Sequence, residues 1–163
     1  MQRDDKENAM TTRRNKNRGY QQLIVWQDAT EYYRLTCETF YGWSYEFKRV
    51  ISQQFSCVDS VHRNIAEGYC RRSIKEYIQF LYISLSSLGE SVSALQVYAG
   101  SPKISELQFE QLDALAYKVE NGMLKLVEKL EEKRDRGEWQ DHLVLKESND
   151  VYSTAEPPSS ITY

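Results

Sequence analysis

Histidine is nearly missing from this 163-residue chain, with two in all, and cysteine, proline and glycine are sparse at three, three and seven. Each scarcity excludes a class. A carboxylate di-metal bundle needs a Glu-x-x-His pair on each of two helices plus further inward carboxylates. Asp59 with His62 supplies one such spacing, and His142 falls past the helical part of the chain, so no metal site is predicted. Cys37, Cys57 and Cys70 form no C-x-x-C pair; such thiols act as small hydrophobes and suit a reducing compartment. There is no glycine-rich phosphate loop, no H-E-x-x-H and no motif that sets a Ser-His-Asp triad, so neither catalysis nor a cofactor is expected. No apolar run approaches the roughly 18 residues of a membrane span. Met1 to Glu7 holds no apolar leader core, which predicts a cytoplasmic protein.

What the chain does have is helical periodicity. Apolar residues recur at three and four in four segments and nowhere alternate as in a strand. The stripes are Leu23, Trp26, Ala29, Tyr33, Cys37 and Phe40; then Val50, Gln54, Cys57, Val58, Val61 and Ile65; then Ile74 through Ala99; then Phe109 through Leu130. Gly42 is placed to end the first helix, and Gly100 with Pro102 the third. Ser73 with Glu76 and Ser105 with Gln108 read as capping boxes. Short connections make neighbouring helices antiparallel, so the predicted fold is all-α, an up-down-up-down four-helix bundle over residues 19–141. Residues 1–18 and 142–163 lack periodicity and read as a disordered basic arm and a disordered tail.

Charge divides along the same boundaries. The arm has six basic and three acidic residues, or +3; the segment 19–145 has fourteen and eighteen, or −4; the remainder has one and three, or −2. A basic arm on an acidic body points weakly to an anionic partner.

The junction of the second and third helices reads Asn64-Ile65-Ala66-Glu67-Gly68, then Tyr69-Cys70-Arg71-Arg72-Ser73. Together with Leu23 to Ala29, Gln53, Glu76, Phe80, Leu81 and Ser86 to Glu90, it resembles the four-helix bundle family found within intervening sequences of bacterial 23S ribosomal RNA genes. The resemblance runs from about Leu23 to about Leu130. It implies a homo-oligomeric bundle with a pentameric ring as the associated form. A more distant similarity, to the accessory protein of diversity-generating retroelements, implies RNA and a reverse transcriptase as partner classes. The chain departs from the family pattern at Phe55-Ser56, at His62-Arg63 and in the aromatic turn Gly42-Trp43-Ser44-Tyr45-Glu46-Phe47.

In an alternating bundle, one pole collects Arg13, Arg14, Lys16 and Arg18 of the arm, then Arg63, Arg71, Arg72 and Lys75, then Lys133, Arg134 and Arg136. Such a rim would contact phosphates, with Tyr69 as a stacking face. Glu67, Glu76, Glu131, Glu132, Asp135 and Glu138 share the region, so a solvated pole of mixed sign is the competing reading. Asn64, Glu67, Gly68 and Glu90 are read as a structural polar motif, with Asn64 and Arg71 both expected to pair with Glu67. Tyr77, Tyr98 and the small strip Ser84, Ser87, Ser91 and Ala94 are expected to serve a second contact surface. The functional expectation is a non-enzymatic accessory module for RNA or an RNA-handling protein; the alternative is a protein–protein adaptor.

Overall fold

The computed structural model describes residues 18–139. Four helices account for most of them: α1 (Ile24–Phe40), α2 (Lys48–Tyr69), α3 (Ile74–Tyr98) and α4 (Glu106–Asp135), with single 3-10 turns at Gly19–Gln22 and Tyr45–Phe47. No strand occurs among the described residues. The expected arm and tail, with Arg13, Arg14, Lys16 and His142, lie outside them apart from Arg18. At 1.5 Å per residue, the 25 and 30 residues of α3 and α4 make rods about 37 and 45 Å long. Each helix packs on two neighbours, α1 on α2 and α4, and α3 on α2 and α4, while the diagonal pairs keep their backbones apart.

The boundaries follow local chemistry. Gly42 takes φ +84° two residues past the end of α1, and Gly137 φ +68° past α4, a conformation open to a residue without Cβ. The Ser105 hydroxyl accepts from Gln108 N at 3.2 Å while Gln108 Oε1 accepts from Ser105 N at 3.0 Å, closing the predicted box. The other box does not form: Ser73 holds the cap position without a side-chain bond. Glu76 lies instead 3.8 Å from the Arg71 guanidinium, and a carboxylate turned to a cation is not folded back onto its own helix start.

The core stripe of α1 is rotated from the predicted one. Val25, Ala29, Tyr32, Thr36, Thr39 and Phe40 are buried, while Trp26, Tyr33 and Cys37 are only partly covered. Burial of the threonines is possible because each hydroxyl donates to the carbonyl one turn back, Thr36 to Tyr32 and Thr39 to Leu35. Polar residues also reach the centre in α2 and α3. Gln54 Nε2 donates to Ser91 Oγ at 2.7 Å, and Ser91 Oγ pairs with Tyr32 Oη at 2.9 Å, so three helices meet in one buried network. Burial and the neighbouring Asp113 and Cys57 push the Tyr32 phenol up to about 12, against a lowering by the Ser91 bond.

The closest seam is α2 on α3. Gln53 bonds Glu90, Gln54 bonds Ser91, Ser60 bonds Ser87, and Ser84 Oγ donates to Val61 O at 2.7 Å, so numbers climb on one helix as they fall on the other. Serine supplies both the small volume and the bond. The expected second contact surface is therefore corrected: Ser84 and Ser91 are fully buried within the chain and Ser87 is engaged with Ser60. Tyr77, 5% exposed, is a core residue, and Tyr98 packs edge-on against Phe40 and Trp43.

Candidate functional site

The α2–α3 corner explains its own sequence. Asn64 Nδ2 donates to Ser60 O at 2.7 Å and Ser60 Oγ at 2.9 Å, one turn back, so it does not pair with Glu67 as expected. Ile65 fills the core. Glu67 binds the Arg71 guanidinium as predicted, and Arg71 also lies over the Phe80 ring at 4.6 Å. Gly68 is obligatory by packing rather than by backbone angle: a Cβ there would stand 2.8 Å from Phe80 Cβ and 2.8 Å from Tyr77 Cδ2. Glu90, at the far end of the seam, accepts from Gln53 Nε2 at 2.7 Å. Burial, then the Glu90 carboxylate beside it, pushes the Cys57 thiol up to about 11. Each of these polar side chains is thus occupied by a neighbour on its own helix or across the seam.

The corner also brings chain ends together. The turn before α1 lies against the end of α2, with Gly19 so close to the Tyr69 hydroxyl that a Cβ would fall 2.1 Å from it. Trp139, just past α4, donates from Nε1 to Arg72 O at 3.2 Å, between α2 and α3. Arg18, Arg72, Lys75 and the end of α4 therefore share one pole. Arg63 sits two turns away and is held by Asp59 at 2.5 Å, outside that cluster.

Geometry sorts the candidate cations. Arg71 is held by Glu67 and Glu76, Arg134 by Glu131 and Asp135, and Arg136 by Glu132 and Glu138. Arg18, Arg72, Lys75 and Lys133 have no carboxylate within ion-pair distance among the described residues. Tyr69 is no open stacking face: its ring is partly buried, edge-on to Tyr20 and Tyr77 and covered by Gly19.

A feature that sequence patterning missed lies along α1 and α2. An open groove of about 660 Å³ is walled by Tyr33, Trp43, Tyr45 and Phe55, with Lys48 at one end and Arg63 at the other. The signal was present, since Tyr41, Trp43, Tyr45 and Phe47 crowd one turn. Beside it His62 bonds Asp59 at 3.2 Å and meets Tyr33 edge-on, two residues that line the groove. Burial holds its imidazole below the usual range, against an opposing pull from Asp59. Among the described residues no three His, Cys, Asp or Glu side chains are grouped to hold a metal. No helix among them is long and apolar enough to cross a membrane.

Comparison with known proteins agrees with the resemblance. No curated protein matches the chain. Among solved structures, a protein of unknown function from the S23 ribosomal protein family of Bacteroides thetaiotaomicron superposes with a TM-score of 0.58 at 18% identity, covering 64% of this chain and 96% of that one. At that identity the likeness bears on the fold alone. The profile of one family, described as 23S rRNA-intervening sequence protein, matches residues 21–125, which takes in α1, α2, α3 and most of α4. That span covers well over half of the chain and the whole α2–α3 corner, and the chain belongs to the 23S rRNA-intervening sequence protein family.

Proposed function

We propose that the protein is a cytoplasmic, non-enzymatic accessory module: an antiparallel up-down-up-down bundle that self-associates, in a pentameric ring, and binds RNA through the pole built around the α2–α3 corner. It requires no cofactor. An RNA-handling protein such as a reverse transcriptase is the companion that this role implies. The α2–α3 order of partners and the meeting of Gly19 with Tyr69 and Trp139 with Arg72 support the alternating direction of the helices.

The observation that carries the RNA reading is the convergence of Arg18, Arg72, Lys75 and Lys133 at one pole with no carboxylate in ion-pair distance among the described residues, on a chain of net charge −3. Arg13, Arg14 and Lys16, which precede Arg18 in the sequence, lie outside the described residues. Cations clustered against the sign of the whole molecule are suited to phosphates, whose binding releases counterions and falls steeply with salt. Arg63 and Arg71 leave the contact set because carboxylates already hold them, and Tyr69 leaves it because its ring is covered. A filter-binding titration of the full chain with a structured RNA at rising salt tests the reading. Affinity that falls with salt is expected; no binding, or binding indifferent to salt, contradicts it.

A second reading has its own support. The aromatic groove has the Tyr, Trp and Phe content of protein interfaces, which favours a protein–protein adaptor without nucleic-acid contact. Pull-down of a protein partner lost in Trp43→Ala and kept in an Arg72→Ala, Lys75→Ala variant would select it.

A further inference from the structure

The aromatic groove has the length, width and charge of a seat for an extended stretch of polypeptide. Its floor is one face of α2, from Lys48 through Ser52, Phe55 and Asp59 to Arg63, at steps of three and four. Fifteen helical steps set Lys48 and Arg63 about 22 Å apart along the axis. A volume of about 660 Å³ over that length leaves a section of about 30 Å², or roughly 6 Å across. An extended chain, which lies about 4.8 Å from its neighbour in a sheet, fits such a channel, whereas a helix about 10 Å wide does not.

Charge selects the occupant. Lys48 lies over the Tyr45 ring at 4.2 Å, with no carboxylate in ion-pair distance among the described residues. Arg63 gives its Nε to Asp59, and Asp59 is shared with His62. A guanidinium has five N–H donors, so Arg63 keeps others for a second carboxylate. The occupant therefore carries a carboxylate at each end and apolar or hydroxyl side chains between. Asp150-Val151-Tyr152-Ser153-Thr154-Ala155-Glu156 of this chain has that pattern. Its six steps span about 20 Å when extended, and Asp150, Tyr152, Thr154 and Glu156 fall on one face at the period of two. The amino-terminal arm, at +3, has the wrong sign.

The tether sets the direction. The chain passes Trp139 beside Arg72, next to the end of α2. Arg63 lies six residues back from Tyr69, about 9 Å, and Lys48 lies 21 residues back, about 31 Å. The 11 steps from Trp139 to Asp150 reach about 36 Å at most. Asp150 meets Arg63 with slack, while Lys48, with the width of the helix still to cross, is at the limit. We propose that residues 150–156 lie extended in the groove, antiparallel to α2, with Asp150 at Arg63, Tyr152 beside Phe55 and Glu156 at Lys48. A tethered segment acts at an effective concentration on the order of 1 mM, so a protein partner reaches the aromatic wall only by displacing it. The contact goes beyond both readings above and stands whether or not the pole binds RNA.

Disulfide trapping in the full chain tests it. In a Cys37→Ser, Cys70→Ser background, Ser52→Cys with Thr154→Cys is expected to close within one chain under mild oxidation. It should do so about ten times faster than Leu124→Cys with Thr154→Cys, because Leu124 is exposed on α4, diagonal to α2. Ser56→Cys, exposed one turn further along α2, repeats the test. Lys48→Glu should slow closure about 3- to 10-fold, and Glu156→Lys added to it should restore the rate. Lys48, Ser52 and Ser56 are exposed, so far-UV circular dichroism and thermal unfolding of the reduced variants should stay as in the wild type. Equal rates for the α2 and α4 pairs overturn the docking. Rescue of Lys48→Glu by Asp150→Lys rather than by Glu156→Lys overturns the direction. Disulfides that join two chains give the groove to a second copy and overturn the contact within one chain.

Discussion

Three glycines buried to different depths give a test with opposite signs. Replacing glycine by alanine inside a helix gains about 1 kcal/mol from backbone entropy alone. Gly89, on the open side of α3, has nothing within 4 Å of a new Cβ, so Gly89→Ala should stabilise the fold by about 0.5–1 kcal/mol. Gly122, in α4, would place its Cβ 3.3 Å from Val25 Cγ2; a shift of a few tenths of an ångström relieves that, and the net change should lie near zero. Gly68 has no such freedom. Its new methyl would meet Phe80 Cβ and Tyr77 Cδ2 at 2.8 Å and Tyr77 O at 3.2 Å. A Cβ and a carbonyl are fixed to the backbone and do not rotate away, so α3 itself must move off α2. That movement would stretch the short Ser84–Val61 and Gln54–Ser91 bonds along the same seam. Overpacking costs about 1–3 kcal/mol, and weakening two buried bonds adds about 1 kcal/mol more. Against the helical gain, Gly68→Ala should destabilise by about 1–3 kcal/mol. Urea unfolding of the three variants, with the slope held constant across them, measures each difference. Gly68→Ala as stable as the wild type, or Gly89→Ala less stable than it, would refute the close-approach argument.

Other outcomes follow from the same packing. Ser91→Ala leaves Gln54 Nε2 and Tyr32 Oη without their shared partner in the core, and should cost about 2–4 kcal/mol in urea unfolding. Cys70 is exposed while Cys57 is buried with its thiol near 11; in a thiol-reagent time course at pH 8, Cys70 should react in the first phase and Cys57 only as the fold opens. His62 is held below its ordinary value by burial, so the unfolded chain takes up its proton first as pH falls. Its contribution to stability is therefore fully present above about 6.5 and lost through the window from there down past the lowered folded value. Unfolding of His62→Gln between pH 7 and 5 should show a flatter decline than the wild type.

Much of this fold was legible because greasy residues at three and four mark helices whatever their partners. The number of helices and the α4 core stripe came from that pattern alone. The rotation of α1 did not, because Thr36 and Thr39 are polar by composition and become buried only by bonding their own carbonyls. The serines of α3 misled in the same way: Ser84 and Ser91 read as a surface strip, yet α2 needs their small size and their hydroxyls. For the pole, sequence located the basic residues and the carboxylates among them, but not which cations most of those carboxylates hold. Whether a cation is spent on a carboxylate is a matter of a few ångströms, and that separates Arg71 and Arg136 from Arg72 and Lys75. The aromatic groove was harder still, since its walls come from α1, α2 and the turn between them.

The salt dependence of RNA affinity, compared between the wild-type chain and an Arg72→Ala, Lys75→Ala variant, bears most directly on the cationic pole. Each lysine or arginine removed from a phosphate contact lowers the slope of log affinity against log salt by about one. The account predicts a slope shallower by about two in the variant, with the unfolding curve unchanged. A variant that binds the same RNA with the wild-type slope would place the contact elsewhere on the molecule and contradict the account.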